Sequence, residues 1–488
     1  MIQPWMIVLT VGLYFLTLLF FGWITGKKAD SESYFTGNRQ SIWWLVAIGM
    51  LSDSMSGVSF ISVPGDVFNT RFYYMQLVLG YVAGYAVIAF VLLPLYYKNN
   101  LTSVYGYLKS RFGKGFEKIG AGYFILSRLL GSAGRLFLTA AVFQTFLFDA
   151  MGIPFWLSVS LIILLILSYT IKGGIRTLVF TDAFQSLVLL GGLFTTIALL
   201  LSQLPMTDLF QKVFSGPVDY WIDSNPMHKT YFWKHFLGGA AVCIAMTGLD
   251  QNMMQKNLSC RSLKEAKMNM LSTAVLVFIV NIFFVSMGAM LIEYMKVKGI
   301  PMPELNGKVH TDGFFPLIAF KYIGIAGGLA FILGLAAATF SSADSVLTTL
   351  TTSMYIDFLG ADENKSISPE QKLKLKNRLH IAFAFLLLVC ILLFRQLNNQ
   401  ALITTIFDIA GITYGPLLGL FAFGILNKRS VSFNSALFVC LLSPTLTWFF
   451  KYGISVSGFE YKMGFEALLL NGLLTYLGLF TASLFYRK

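Results

Sequence analysis

The chain has 488 residues, of which 56% are hydrophobic and only 12% are charged, and its mean hydropathy is +0.70. Soluble domains are roughly 45–50% apolar with about 25% charged residues, so this composition excludes a soluble globular protein and indicates a polytopic membrane protein. The formal net charge of +13 does not indicate nucleic-acid binding, because the basic residues lie in short loops between apolar runs.

Apolar runs of about 20 residues recur along the chain, and each is long enough to span a bilayer as a helix. The length allows about thirteen such helices and leaves no room for a large soluble domain. The first run, 5–23, is too long for a signal-peptide core, so we expect a retained helix and an all-α integral membrane protein. We predict helices at 4–25, 42–66, 73–97, 118–149, 153–171, 177–203, 233–255, 267–296, 321–357, 377–396, 399–426, 430–452 and 465–486.

Basic residues cluster in alternate loops between these helices. The loop after the seventh helix is one example and includes Lys256 and Arg261. Basic loops lie in the cytoplasm by the positive-inside rule, so we expect the N-terminus outside and the C-terminus inside. The opposite loops at 204–232, 297–320 and 453–464 are longer and contain Pro, Gly or Asp, which predicts external gates or lids.

Two of the predicted helices contain polar interruptions. In the second helix, 51–59 is rich in Ser and Asp, whose side chains bond their own backbone, and Pro64 with Gly65 ends the span. In the seventh helix, the interruption is 246–251. If the first helix is an addition, these are the first and sixth helices of ten, which is the corresponding position in two halves of five. Paired interruptions predict an inverted-repeat transporter with its site at the membrane midplane, and two independent helix ends are the alternative.

The segment 334–350 combines small residues with polar ones at membrane depth. Small residues let neighbouring helices approach closely. In a helix, Ser341, Asp344 and Ser345 lie at i, i+3 and i+4 and share one face. Hydroxyls and a carboxylate there make a poor lipid-facing surface and a good oxygen-lined site for a small hard cation. The alternative for Ser341 or Ser342 alone is a hydroxyl that bonds back to the i−4 carbonyl and bends the helix.

Motifs along almost the whole chain resemble those of one family. They are YFTGNR at 34–39, SFISVPG at 59–65, LTSVYGYLKSRFG at 101–113, GGIRTLVFTDAFQ at 173–185, DQNMMQK at 250–256 with SLKEAK at 262–267, and GPLLGLFAFG at 415–424. In this order and spacing the chain resembles the sodium/solute symporter family, which includes sodium–glucose, sodium–proline, sodium–pantothenate and bacterial sodium–sialic acid transporters.

The resemblance implies a five-plus-five inverted-repeat fold, as in the bacterial leucine transporter, and alternating access. The whole chain, 1–488, would then form one transmembrane domain. Its parts would be an extra N-terminal helix at 4–25, a first five-helix repeat at 42–203, a second repeat at 233–426 and two extra C-terminal helices at 430–486.

The resemblance also implies a first sodium site between the first interrupted helix and the small-residue segment. Matched residue by residue, its ligands are the backbone carbonyls of Ser52, Met55 and Ala338 and the hydroxyls of Ser341 and Ser342. Five neutral oxygens suit a monovalent ion, because a divalent ion requires more carboxylates.

Some members of this family have a second sodium site, which here would use Asp182, Asp344 and Ser345. Asp344 stands where those relatives have a serine. Two carboxylates close together bind sodium more tightly, or one of them holds a proton with a raised pKa. The sequence therefore leaves one or two sodium ions, or a proton at Asp344, as alternatives.

The predicted solute site centres on Arg135. Arg128 and Arg135 are seven residues apart, two turns along one helix face. A guanidinium matches a carboxylate with two parallel hydrogen bonds, and the sialic acid transporters that this chain resembles use an arginine on this helix for the substrate carboxylate. The alternative is that Arg135 pairs with Asp53 or another buried carboxylate. The predicted solute contacts are Ser54, Ser56, Ser59, Tyr74, Arg135 and Thr247.

We therefore expect a sodium-coupled symporter that imports a small organic solute, with an anion such as a sialic acid or another carboxylate favoured over a neutral sugar. Its location would be a bacterial-type inner membrane, with sodium, solute and lipid as its partners and no obligate protein partner. The alternatives are a proton-coupled symporter using Asp344 and a transporter-like sensor or channel. The chain ends at Lys488 just after a helix, so we expect no sensor output domain. No nucleophile–base pair or metal cluster appears, so we do not expect an enzyme.

Overall fold

The computed structural model describes residues 3–26, 31–204, 220–305, 307–397, 402–456, 461 and 463–486. Parts of two predicted external loops, namely 205–219 of the loop 204–232 and 457–460 and 462 of the loop 453–464, therefore lie outside the described residues. Regular structure in the described ranges is almost wholly helical, apart from a short antiparallel hairpin of Glu304–Leu305 and Lys308–Val309. The prediction of an all-helical protein is confirmed.

The helices follow one another with short connections. In the first part of the chain the α-helices are Pro4–Gly26, Ser31–Thr36, Trp43–Ser54, Gly57–Thr70, Tyr74–Val87, Leu93–Lys98, Gly106–Phe112, Lys114–Phe143 and Phe155–Leu201. In the second part they are Phe232–Cys243, Gln251–Leu258, Leu263–Lys298, Phe314–Lys321, Gly324–Ser353, Pro369–Leu397, Leu402–Leu426, Phe433–Val456 and Glu466–Phe485. Wider π-helical turns extend four of them, at Ile88–Leu92, Gln144–Phe148, Ile244–Gly248 and Met354–Phe358.

Many of these helices have the length and composition of membrane spans. The described residues contain nine such helices and two bent helix pairs that pass the same test together. Phe155–Ile171 and Gly411–Leu426 are shorter apolar helices. The chain is therefore a multi-pass membrane protein, because helices of this kind satisfy their backbone hydrogen bonds internally.

The first bent pair, Trp43–Ser54 and Gly57–Thr70, turns by 60° at the predicted interruption. A Cβ atom on Gly57 would lie 2.2 Å from Oγ1 of Thr339 and 2.5 Å from Oγ1 of Thr139. Only glycine permits this approach, so the bend brings the second half of the pair directly against two neighbouring helices.

The predicted end of this span at Pro64 is wrong, because the helix continues through Pro64 to Thr70. A proline in a helix interior removes one backbone donor, but Pro64 is buried and neighbouring helices hold the segment in place. Gly65 has a packing role, since a Cβ there would lie 2.5 Å from the Thr311 carbonyl oxygen.

The second bent pair joins 232–248 to Gln251–Leu258 with a bend of 62°. Asp250 begins the second half: its Oδ1 atom accepts hydrogen bonds from the backbone N–H groups of Asn252 at 2.9 Å and Met253 at 3.3 Å. This is a typical N-cap, which satisfies donors that a new helix otherwise leaves unpaired. The interruption predicted at 246–251 is therefore present.

The small-residue helix, Gly324–Ser353, occupies the centre of the molecule. Every residue from 334 to 353 is buried. A Cβ on Gly192 would lie 2.6 Å from the Ala330 carbonyl oxygen, so the helix Phe155–Leu201 packs directly against this backbone. The predicted start at 321 is wrong, because Phe314–Lys321 is a separate short helix.

The long helix Phe155–Leu201 is kinked at Gly174, whose φ and ψ angles are 57° and −160°. A side chain rarely adopts this conformation, and a Cβ there would also lie 2.5 Å from the Tyr34 Cα atom. The kink separates the predicted helices 153–171 and 177–203 and turns the second of them towards the first bent pair.

Candidate functional site

A cavity with an empty volume of about 790 Å³ lies beside the break in the first bent pair. The wall comes from both bent pairs and from the helices that begin at Tyr74 and Lys114. All six residues predicted to contact solute line this one cavity: Ser54, Ser56, Ser59, Tyr74, Arg135 and Thr247.

Two arginines of the helix Lys114–Phe143 face the cavity, and their surroundings differ. Arg128 is buried, with Nε 2.5 Å from Asp250 Oδ2, and its Nη2 donates to the Met246 carbonyl at 3.0 Å. Arg135 is half-buried and makes no hydrogen bond or ion pair with any described residue. The alternative pairing of Arg135 with Asp53 does not occur, because Asp53 pairs with Lys256.

Hydroxyl groups cover much of the remaining wall. Ser54 donates to the Met50 carbonyl at 2.8 Å and lies 3.3 Å from the Tyr85 hydroxyl. The Ser56 and Ser59 hydroxyls make no hydrogen bond with any residue that the structure describes. Tyr81 and Tyr85 line the cavity with Tyr74, so one face of it is aromatic and carries hydroxyls. This wall offers hydrogen bonds to a polar solute and a flat apolar surface to its carbon skeleton.

The residues predicted for the first sodium site are all buried where the first bent pair meets the helix Gly324–Ser353: Ser52, Met55, Ala338, Ser341 and Ser342. The hydroxyl oxygens of Ser52 and Ser341 are 2.6 Å apart, so the two helices touch here. Because Trp43–Ser54 ends at this point, its last carbonyls lack partners in a further turn. The residues present fit a small hard cation, which takes oxygen ligands.

The two adjacent serines of this set differ in their bonding. Besides its contact with Ser52, Ser341 donates to Asp182 Oδ1 at 3.4 Å. The hydroxyl of Ser342 makes no hydrogen bond with any described residue, although the side chain is only 3% exposed. A buried hydroxyl without a protein partner is uncommon, and a bound ion is one way to satisfy it.

Lys256 lies where Asp182 and Ser345 meet. Its Nζ donates to Asp182 Oδ2 at 2.5 Å, to Ser345 Oγ at 2.8 Å, and to Asp53 Oδ2. The lysine side chain is 1% exposed, and both carboxylates are fully buried. The placement of Lys256 in a basic loop after the seventh helix is wrong, because the bend at Asp250 turns Gln251–Leu258 into the protein.

Asp344 takes a separate partner. Its Oδ2 atom accepts a hydrogen bond from the Tyr169 hydroxyl at 2.9 Å, and its buried Oδ1 atom has no partner among the described residues. Ser345 donates to Asp182 Oδ2 at 3.4 Å. Of the three residues predicted for a second cation site, the structure thus brings Asp182 and Ser345 together around Lys256 and leaves Asp344 on Tyr169.

A buried hydrogen-bond network extends from Arg128 in the cavity wall to the break in the second bent pair. Asp250 caps its own helix through Oδ1, while its Oδ2 binds Arg128 and accepts from the Tyr414 hydroxyl at 2.7 Å. Tyr105 donates to the Leu249 carbonyl at 3.1 Å and so holds the same break. The helices Lys114–Phe143 and Leu402–Leu426 and the turn before Gly106–Phe112 are thus tied to the break in the second bent pair.

Lys256 is the main site residue that the sequence did not reveal. The available signal was charge balance: Asp53, Asp182 and Asp344 all lie at membrane depth, and buried carboxylates require partners. Tyr81, Tyr85 and Tyr414 carry no such signal, because isolated aromatic residues in apolar helices are usual core residues.

The chain is similar in sequence to known sodium-coupled transporters. A sequence model of the sodium:solute symporter family matches residues 34–441. The sodium/sialic acid symporter SiaT of Proteus mirabilis is 26% identical over 485 residues, which cover 96% of this chain and 92% of that protein. The human sodium/iodide cotransporter is 24% identical over 414 residues, which cover 83% of this chain and 63% of that protein.

Among solved structures, a substrate-bound, outward-open Na⁺-coupled sialic acid symporter has a TM-score of 0.84 and 23% sequence identity. The alignment covers 99% of this chain and 98% of that chain. At this identity the likeness shows the fold alone. It confirms the leucine-transporter-like fold that the sequence predicted.

Proposed function

The chain belongs to the sodium:solute symporter family and so carries a small solute together with sodium across a membrane, and on this premise we propose that the solute is an organic anion. One observation carries the proposal: Arg135 faces the cavity and has no hydrogen-bond or ion-pair partner among the described residues. An unpaired guanidinium at membrane depth is costly, and a solute carboxylate supplies the missing charge through two parallel hydrogen bonds.

The named substrates of the two similar proteins support an anion. SiaT is a sodium/sialic acid symporter, and the human protein is a sodium/iodide cotransporter. A sialic acid is a hydroxyl-rich sugar acid and iodide is a single ion, so the chemical feature they share is negative charge. A positively charged group in the cavity wall suits both.

The rest of the wall favours an organic anion over a bare ion. The cavity is lined by apolar and aromatic side chains with a few polar groups among them, as small-molecule sites are. Ser56 and Ser59 offer hydroxyls that have no partner in the described part of the chain, and Ser54, Tyr74 and Thr247 line the same space. A hydroxylated carboxylic acid would use Arg135 for its charge and these side chains for its polar groups.

Sodium binds, in this proposal, to the carbonyls of Ser52, Met55 and Ala338 and the hydroxyls of Ser341 and Ser342. Ser52 and Met55 belong to the same break that lines the cavity with Ser54 and Ser56. An ion that orders this break also orders the solute contacts, and the two affinities are therefore coupled reciprocally.

We place the two inverted repeats at 42–203 and 233–426, with one helix at 4–25 before them and two helices at 430–486 after them. The two bent pairs support this division, because each begins one repeat. The basic loops support an N-terminus outside, a cytoplasmic C-terminus and import across a plasma membrane.

The test is a thermal-shift screen of purified protein against carboxylic acids, including a sialic acid, each beside its neutral methyl ester. We expect an acid to stabilise the wild type only with sodium present, because a ligand of the folded state raises its stability. In Arg135→Ala we expect affinity for that acid to fall about 100-fold, which corresponds to about 2.7 kcal/mol and fits the loss of a charged hydrogen-bond pair.

Arg395→Ala is the matched control, because Arg395 lies over the Phe155 ring on another helix. This variant should bind the acid as the wild type does. Equal stabilisation by acid and ester, or normal acid binding by Arg135→Ala, would contradict the anion proposal and leave sodium symport intact.

A further inference from the structure

The ammonium group of Lys256 is fully coordinated by buried side chains. A lysine has three N–H donors, and here they reach Asp53 Oδ2, Asp182 Oδ2 and Ser345 Oγ. Two fully buried carboxylates thus share one cation. Such an arrangement persists only when the paired charges and their hydrogen bonds offset the loss of water.

The oxygen atoms around Nζ would themselves form a cation site if the lysine were absent. Ser345 also donates to Asp182 Oδ2 at 3.4 Å, so one hydroxyl and two carboxylates surround Nζ, and Ser341 donates to the other oxygen of Asp182 at 3.4 Å. Carboxylate and hydroxyl oxygens are the usual ligands of small hard cations. The Lys256 ammonium carries the same charge as a sodium ion and occupies this place.

We propose that the Lys256 ammonium is a built-in cation that occupies the second cation position, so that the protein binds sodium only at the first site. Lys256 is then the residue that determines the sodium stoichiometry. A second sodium there would meet a fixed positive charge within contact distance, and the lysine could not leave without breaking three buried hydrogen bonds. The inference rests on the proposed first sodium site.

Lys256 also connects this position to the solute cavity. Asp53 lines the cavity and forms an ion pair with Lys256. Without the lysine, Asp53 would add an unpaired negative charge beside a site proposed for an anion. The same residue therefore limits sodium to one ion and keeps the cavity favourable to a negative solute.

The experiment counts bound sodium and needs no solute. Equilibrium binding of ²²Na⁺ to purified protein in lipid nanodiscs gives the number of ions per chain. We expect one ion in the wild type, with a Hill coefficient of one, and two ions in Lys256→Met with a Hill coefficient above one. Adding Asp182→Asn to Lys256→Met removes a ligand of the opened position and should return the count to one.

Lys376→Met is the matched control, because Lys376 is another largely buried lysine, which donates to the Ile171 carbonyl at 3.0 Å. It should keep the wild-type count. If Lys256→Met does not fold, Lys256→Met combined with Asp53→Asn leaves one carboxylate at the position and should still bind one ion more than the wild type.

Two ions in the wild type, or equal counts in wild type and the lysine variants, would overturn the inference. A wild type that binds no sodium would contradict the proposed first site instead. In that case, one bound ion in Lys256→Met would support the role of Lys256, and no bound ion would contradict it. The two failures are therefore distinguishable.

Discussion

Arg128 and Arg135 lie two turns apart on one helix and face one cavity, but their bonding is opposite. Arg128 is held by Asp250 and by the Met246 carbonyl, whereas Arg135 has no partner among the described residues. A buried charge with a partner holds helices together. A charge without a partner destabilises the folded protein, and a bound ligand of opposite charge can remove that destabilisation.

The adjacent serines Ser341 and Ser342 repeat this difference on a smaller scale. Ser341 bonds to Ser52 and Asp182, and Ser342 bonds to no described residue. Burial alone does not separate these residues, because both serines are almost completely buried. The presence or absence of a protein partner does separate them, and it indicates which side chain is available to a ligand.

The largest expected effect is on stability, in Arg128→Ala. Removing this partner leaves the Asp250 carboxylate buried and uncompensated, which should cost about 3–5 kcal/mol of unfolding free energy. Arg135→Ala should change the unfolding free energy by less than about 1 kcal/mol, because it breaks no hydrogen bond or ion pair between described residues. Unfolding of both variants in sodium dodecyl sulfate titrations measures this. Equal losses in the two variants would remove the distinction between the arginines.

A smaller effect is expected in Ser342→Ala, on sodium affinity. Loss of one neutral oxygen ligand should raise the sodium concentration for half-maximal binding about tenfold, or about 1.4 kcal/mol, without altering unfolding. The ²²Na⁺ binding curve gives this value directly. Thr348→Ala is the control on the same helix, since the Thr348 hydroxyl donates back to the Asp344 carbonyl at 3.0 Å. An unchanged half-saturation in Ser342→Ala would remove Ser342 from the sodium site.

The smallest effect is expected in Asp344→Asn, because Asp344 combines both kinds of bonding. Its Oδ2 accepts a hydrogen bond from Tyr169, and its Oδ1 has no partner within the described ranges. Asparagine keeps the shape and one acceptor, so the unfolding free energy should change by about 1 kcal/mol or less. Sodium-driven uptake of the acid found in the screen should keep its pH profile. If the profile becomes flat instead, Asp344 carries a proton and the proton-coupled alternative holds.

Features that depend on residues close together in the sequence could be predicted, and features that depend on packing could not. Both breaks were predictable, because serine, aspartate and glycine compete with helical hydrogen bonds within a few residues of themselves. The shared face of Ser341 and Ser345 followed from helical spacing alone. Pro64 was misleading because its effect depends on packing around it, which the chain order does not reveal.

Lys256 could not be placed for a related reason. Its position depends on the 62° bend at Asp250 and on carboxylates at positions 53 and 182, which lie far away in sequence. A basic residue after an apolar run normally indicates a cytoplasmic loop. That rule failed here because the following half-helix turns inward: the local residues predict the break, but they do not predict the direction of the half-helix after it.

The break in the first bent pair also has an electrostatic consequence that side chains do not supply. A helix that ends at Ser54 presents the negative end of its peptide dipoles, and one that begins at Gly57 presents the positive end, each equivalent to about half an elementary charge. The 60° bend aims these two ends in different directions. A cation can thus bind near the end of the helix at Ser54, and an anion can bind near the start of the helix at Gly57. Only two residues separate these ends. Because the poles belong to the main chain, no serine substitution in the break removes them, and the attraction for an ion pair outlasts the loss of any single side chain.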